Sequence, residues 1–247
     1  MLPNYEESIL QVISSIKKYM GLPLDRSSDK KVDRWLQGHD FKRLFVIFMD
    51  GMGAKLVERQ LPINSFIRKQ LLETTLTVFP STTAAVFPSI VSGKSPYETG
   101  YLGWHQYFKE VDDSVVLFMN KSYTTGEVYP DFVREHLPIE TLPDVLGDQM
   151  KVIMPSYFKD GYVDKKDLKD KLLQCDEKLV LAYIDELDIL MHKEGPYGEK
   201  AKEKLEELNA WVEDLCKSVE DKTGVIVIAD HGQIEVQEKC LKEHPEV

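Results

Sequence analysis

Four groups of residues in this 247-residue chain have types and spacings that can do chemistry. Asp50 stands where the apolar run Arg43-Leu44-Phe45-Val46-Ile47-Phe48 gives way to the tight turn Met49-Asp50-Gly51-Met52-Gly53. Asp188 and His192 are four residues apart. On a helical turn that spacing sets a carboxylate and an imidazole on one face, about 5–6 Å apart at Cβ, as a two-donor clip for a metal ion. Asp230-His231-Gly232 follows the apolar run Gly224 to Ala229. Ser81, Thr82 and Thr83 precede a stretch able to form a helix, where a hydroxyl meets free N–H groups and the positive end of the helix. Taken singly, each group has an ordinary explanation. An Asp after a strand commonly forms a turn or caps a helix, an Asp/His pair commonly decorates a helix surface, and Ser and Thr cap helices constantly. Three strand ends carrying Asp, two of them with a partner His, raise the joint reading above those explanations. Ligands bind beyond the carboxyl ends of strands in open parallel sheets, so the three groups would converge on one rim. A metal held there would favour the alkoxide of a neighbouring hydroxyl, and the helix end would stabilise phosphoryl oxygens.

Positioning such donors requires parallel strands, and the chain has candidates for them. Arg43 to Phe48, Val115 to Met119, Lys151 to Met154, Lys178 to Ile184 and Gly224 to Ala229 are short apolar runs of the kind buried on both faces. Between the last two, Ala201, Leu205, Leu208, Val212, Leu215 and Val219 recur at helical spacing, closed by Gly224. Strand, helix, strand is a parallel crossover unit. Ile9, Val12, Ile13, Ile16 and Met20 predict an amphipathic helix near residues 5–20 that packs on the main body. The expectation is a single α/β domain over residues 1–247, a mostly parallel sheet flanked by helices in three layers. A cap or elaborated loop is expected near 100–133, where Tyr101, Trp104, Tyr107, Phe108, Tyr123 and Tyr129 break the rhythm.

Composition narrows the partners. Hydrophobic residues at 43% and charged residues at 30% exclude a fibrous or disordered chain. A net charge of -11 argues against a nucleic-acid polymer, whose backbone needs a basic face. An acidic protein that handles phosphate must bring positive charge locally, and metal ions do that. The start Met1-Leu2-Pro3-Asn4-Tyr5-Glu6-Glu7 lacks a signal-peptide pattern and no apolar run reaches membrane-spanning length, so the expected location is cytoplasmic, with no membrane partner. Cys175, Cys216 and Cys240 have no CxxC spacing and read as ordinary thiols.

With these motifs in view, the chain resembles the alkaline phosphatase superfamily, most closely its type I phosphodiesterase/nucleotide pyrophosphatase branch, from about Leu44 to His231. Phe48-Met49-Asp50-Gly51-Met52-Gly53 looks like the first metal motif. Phe79-Pro80-Ser81-Thr82-Thr83, with Ser89-Ile90-Val91-Ser92-Gly93 and Pro96-Tyr97-Glu98-Thr99-Gly100, is similar to the nucleophile segment and sets Thr83 on the catalytic threonine. Asp188 to His192 with Gly195-Pro196 resembles the second metal motif, and Ala229-Asp230-His231-Gly232 the third.

The resemblance implies two divalent metal ions, usually zinc, with manganese or magnesium as alternatives. Asp50, Thr83, Asp230 and His231 would serve one metal, and Asp188 and His192 the other. The implied activity is hydrolysis of phosphodiester or pyrophosphate bonds, with a small phosphate ester or nucleotide as substrate and a phosphothreonine intermediate. A phosphomonoesterase, phosphonate hydrolase or phosphomutase would use the same metals, whereas a non-catalytic or truncated member would bind phosphate ligands without hydrolysis. Trp104, Tyr107 and Phe108 are candidates to stack a base. The sequence departs from the pattern at three points. Val86 stands where the family usually has an Asn that binds a phosphoryl oxygen. Thr99-Gly100 replaces a His-Gly. Only His244 follows the last Asp-His pair, in a charged stretch, so the second metal is expected to lack its third ligand and the sheet its C-terminal elements.

Overall fold

The computed structural model describes residues 4–158 and 161–236. Strand β1 (Arg43–Met49) has six consecutive apolar side chains, Leu44 to Met49, all buried. A strand covered on both faces belongs in the middle of a parallel sheet. It lies between β6 (Leu179–Ile184) and β7 (Thr223–Ala229), parallel to both, and β5 (Met150–Ile153) pairs outside β6, giving the order β5-β6-β1-β7. Met49 pairs with Ile184 on one side and Ala229 on the other. Asp50, Asp185 and Asp230 therefore leave the sheet together at its carboxyl rim.

Alternation along β1 divides the core. Leu44, Val46 and Phe48 enter one layer with Ile9, Ile13 and Ile16 of the helix Ile9–Tyr19 and with Val86 and Ile90 of the helix Thr83–Ser92. Phe45, Ile47 and Met49 enter the other, against Ala201, Leu205, Leu208, Val212 and Leu215 of the helix Glu199–Ser218. Leu205, Leu208 and Leu215 are fully buried, and each contributes about 1.5–3 kcal/mol relative to exposure. The helix Glu199–Ser218 links β6 to β7 across β1, and the sheet with helices on both faces is the expected three-layer α/β/α arrangement. No helix among the described residues is long and apolar enough to cross a membrane.

The run Val115 to Met119 is not a further parallel strand. Its first residues belong to β3 (Asp113–Val116), which pairs antiparallel with β2 (His105–Phe108) and with β4 (Lys121–Ser122) in a separate three-stranded sheet. Leu117–Met119 is a 3-10 turn that ends at Asn120, whose φ of 48° is left-handed. Only residues 109–112 connect β2 to β3, too short for a crossover, so the pair closes as a hairpin. A small cluster of Tyr101, Phe108, Val115, Leu117, Phe132 and Val133 packs this sheet, which occupies the aromatic-rich stretch near 100–133.

Candidate active site

The turns after β1 and β7 are tied by one carboxylate oxygen. Oδ1 of Asp230 accepts the amide of Gly51 at 3.0 Å and the amide of His231 at 2.8 Å. Gly51 adopts φ 71°, and a Cβ there would lie 2.8 Å from Met191 Cε and 3.0 Å from Asp188 Oδ1. A Cβ on Gly53 would lie 2.5 Å from Gly232 Cα. The Asp-Gly-x-Gly turn is thus what lets the ends of β1, β7 and the helix Glu186–Glu194 approach each other. The other oxygen of Asp230 is fully buried without a hydrogen-bond partner, 3.4 Å from His231 Nε2.

Thr83 is the first residue of its helix, and its hydroxyl is 3.1 and 3.2 Å from the two oxygens of Asp50 and 3.2 Å from His231 Nε2. Thr82 occupies the cap position and makes no side-chain capping bond, while Ser81 is exposed. Of the three hydroxyls, the one at Thr83 is aimed at acid and imidazole groups. The amides of Ala85 and Val86 both donate to the Thr82 carbonyl, which leaves those of Thr83 and Ala84 without a backbone acceptor among the described residues. Val86 is buried in the core and brings no polar side-chain atom to the site.

Asp188 and His192 lie on the helix Glu186–Glu194 with Nε2 of His192 3.3 Å from Asp188 Oδ2, as the i,i+4 spacing predicts. Asp50, Asp188 and His231 each bring a donor atom within 4.8 Å of the other two. Asp50, Thr83, Asp188, Asp230 and His231 are therefore brought together, although they come from four distant parts of the sequence. His192 stands at the edge with its side chain 70% exposed. His244 and Cys240 lie outside the described residues.

Burial first, then the nearby carboxylates of Asp230 and Asp188, push the Asp50 carboxyl up to about 9. Three crowded acids, an unpartnered buried oxygen on one of them, and an adjoining imidazole and hydroxyl make a donor set that a divalent cation fits, since it would offset this repulsion.

The sequence reading missed several contributors. Tyr183, buried in β6, donates its hydroxyl to Oδ2 of Asp50. Tyr157 donates to the buried Asp185, whose carboxyl is raised mainly by burial. Gln233 donates its amide to Asp188 Oδ1. The signal for Tyr183 was one hydroxyl in an otherwise apolar strand, and that for Gln233 was its place three residues after Asp230. Among the stacking candidates, Phe108 is spent in the small core against Phe132, and the Tyr107 hydroxyl is bound to Asp112 at 2.6 Å. Trp104 stays half-exposed, edge-on to Phe118.

A family model described as type I phosphodiesterase / nucleotide pyrophosphatase matches residues 44–245, from β1 through both Asp/His motifs. The chain belongs to this family. Type I phosphodiesterases of this kind fall within the alkaline phosphatase superfamily. Two solved structures of murine ectonucleotide pyrophosphatase/phosphodiesterase 5, one of an inactive variant in complex with AMP, share the fold with TM-scores of 0.60 and 0.58. Both are 16% identical to this phosphodiesterase-family chain and cover 77% of it, whereas it spans 57% of their length. Among curated proteins, none matches the chain.

Proposed function

We propose that the protein is a metal-dependent phosphoryl-transfer hydrolase that cleaves phosphodiester or pyrophosphate bonds of nucleotides through a phosphothreonine intermediate on Thr83. The observation that carries this reading is the Thr83 hydroxyl at the start of a ten-residue helix, 3.1 Å from Asp50 and 3.2 Å from His231. Asp50, Thr83, Asp230 and His231 would hold one divalent ion, and Asp188 and His192 a second, zinc being the first choice for this mixture of imidazole and carboxylate. Such ions supply Lewis acidity, lowering the cost of the alkoxide and of charge on the phosphoryl oxygens.

The residues divide the remaining work. Asp50 and His231 face the Thr83 hydroxyl and hold Oγ1 in place, while its proton passes to solvent as Oγ1 bonds to phosphorus and the leaving oxygen departs with its electron pair. The Thr83 and Ala84 amides, which have no backbone acceptor among the described residues, would donate to a non-bridging oxygen. Water then attacks phosphorus, the bond to Thr83 breaks, and a proton returns to the threonine. The AMP held by the murine relative supports a nucleotide as the substrate. Phosphomonoesters, phosphonates and phosphomutase chemistry would use the same groups. A second reading, a member that binds phosphate ligands without hydrolysis, draws support from His192, whose side chain is 70% exposed. Turnover of nitrophenyl mono- and diesters by the wild type and by Thr83→Ala separates these readings. Diester hydrolysis that disappears in the variant is expected, and unchanged turnover would remove Thr83 from the mechanism.

A further inference from the structure

We infer that Tyr183 is a positioning residue for the metal centre, orienting Asp50 through its hydroxyl. The inference rests on the proposed metal-dependent reading of the site. β6 reads Leu179-Val180-Leu181-Ala182-Tyr183-Ile184, all six buried, and Tyr183 brings the strand's one polar side-chain atom. A buried tyrosine hydroxyl needs a partner, and this one takes Oδ2 of Asp50. Its ring has no freedom to choose another. The ring packs 5.0 Å from Phe48, its register partner on β1, and 5.9 Å from Phe87, one turn beyond Thr83 on the same helix. The Tyr183 carbonyl in turn accepts the hydroxyl of buried Tyr162 at 3.1 Å.

The consequence for Asp50 is geometric. With Oδ2 engaged by Tyr183, Oδ1 is the oxygen 3.4 Å from His231 Nε2, and Asp50, Asp188 and His231 form the donor group that could hold a cation. Among the described residues, the other hydroxyl that reaches Asp50 is that of Thr83, which lies nearly equidistant from both of its oxygens and so sets no preference between them. Tyr183 breaks that symmetry. Groups that hydrogen-bond a metal-binding carboxylate or imidazole fix its orientation, and their loss typically lowers metal affinity 10–100-fold.

The test compares metal-stripped wild type, Tyr183→Phe and Tyr19→Phe. Phenylalanine keeps the ring between Phe48 and Phe87. Tyr19→Phe is the control for losing a part-buried tyrosine hydroxyl, since Tyr19 donates to the Phe41 carbonyl just ahead of β1, at the opposite end of the strand. Calorimetric titration with zinc chloride is expected to show a fall of roughly 10–100-fold in affinity for Tyr183→Phe and none for Tyr19→Phe. The metal-free melting temperature of Tyr183→Phe should drop no further than that of the control. Zinc affinity equal to wild type in Tyr183→Phe, or an affinity loss matched by Tyr19→Phe, would overturn the inference while leaving the metal centre standing. A wild type that takes up no zinc would overturn both.

Discussion

The two oxygens of Asp230 have different tasks. One accepts two backbone amides and holds the turns of β1 and β7 together, while the other is left bare beside His231. An unpartnered buried carboxylate oxygen costs about 1–3 kcal/mol or more, and it persists where it serves a ligand. Asp50 carries the same tension in another form. Its carboxyl is pushed up to about 9 by burial and by its acidic neighbours, against about 3.9 in an unfolded chain. The folded protein thus holds a proton that the unfolded chain releases above pH ~4, so this contribution to stability is present at low pH and lost as pH rises toward 9. Metal-free protein is expected to melt at a lower temperature at pH 8 than at pH 5.5 in scanning calorimetry with a chelator, and the slope should shrink in Asp50→Asn. That same substitution should raise metal-free stability and weaken zinc binding by at least about tenfold. Equal slopes in the wild type and Asp50→Asn would mean that Asp50 does not carry this charge.

At the scale of elements, the turn glycines make the convergence of strands possible. Gly53→Ala would set a Cβ 2.5 Å from the backbone of Gly232, and both neighbours are main chain with nowhere to go. A loss of about 1–3 kcal/mol in denaturant unfolding is expected, with weaker metal binding, because separating the β1 and β7 turns moves Asp50 from His231. A variant as stable as wild type would show that these turns are not tightly apposed. The parallel strands were legible in the sequence because β1 and β6 are buried on both faces and so are written as unbroken apolar runs ending in acids. The helix Glu186–Glu194 was legible as a spacing, Asp188 to His192. The run at Val115 was not assignable to a sheet, since a short apolar stretch states that it is buried and leaves its partner open; the tight connection to β2 decided it. Tyr183 was hidden for a related reason. Its partnership with Asp50 depends on the β1/β6 register, which pairs Phe48 with Tyr183, and no local pattern encodes that pairing.

For the molecule as a whole, a chain of net charge -11 concentrates three acids at one rim and offers them imidazole and a hydroxyl there. Cations are the natural complement. A ligand at a hundred times its dissociation constant stabilises the folded state by about 2.7 kcal/mol, so added zinc should raise the melting temperature of stripped protein. Among the described residues, Asp188 and His192 are the two donors proposed for the second ion, against three in most catalytic zinc sites, so one ion per chain is expected to be held firmly and the other weakly. Elemental analysis after exhaustive dialysis that finds two tightly held ions would contradict this. The central claim, that Thr83 becomes covalently phosphorylated, is tested most directly by acid-quenching the metal-loaded protein during turnover of a nitrophenyl phosphodiester and mapping the adduct by peptide mass spectrometry. An adduct on Thr83 in which phosphorus keeps the remaining ester group, absent from Thr83→Ala, is the predicted result. Steady turnover with no adduct on Thr83, undiminished in that variant, would contradict it.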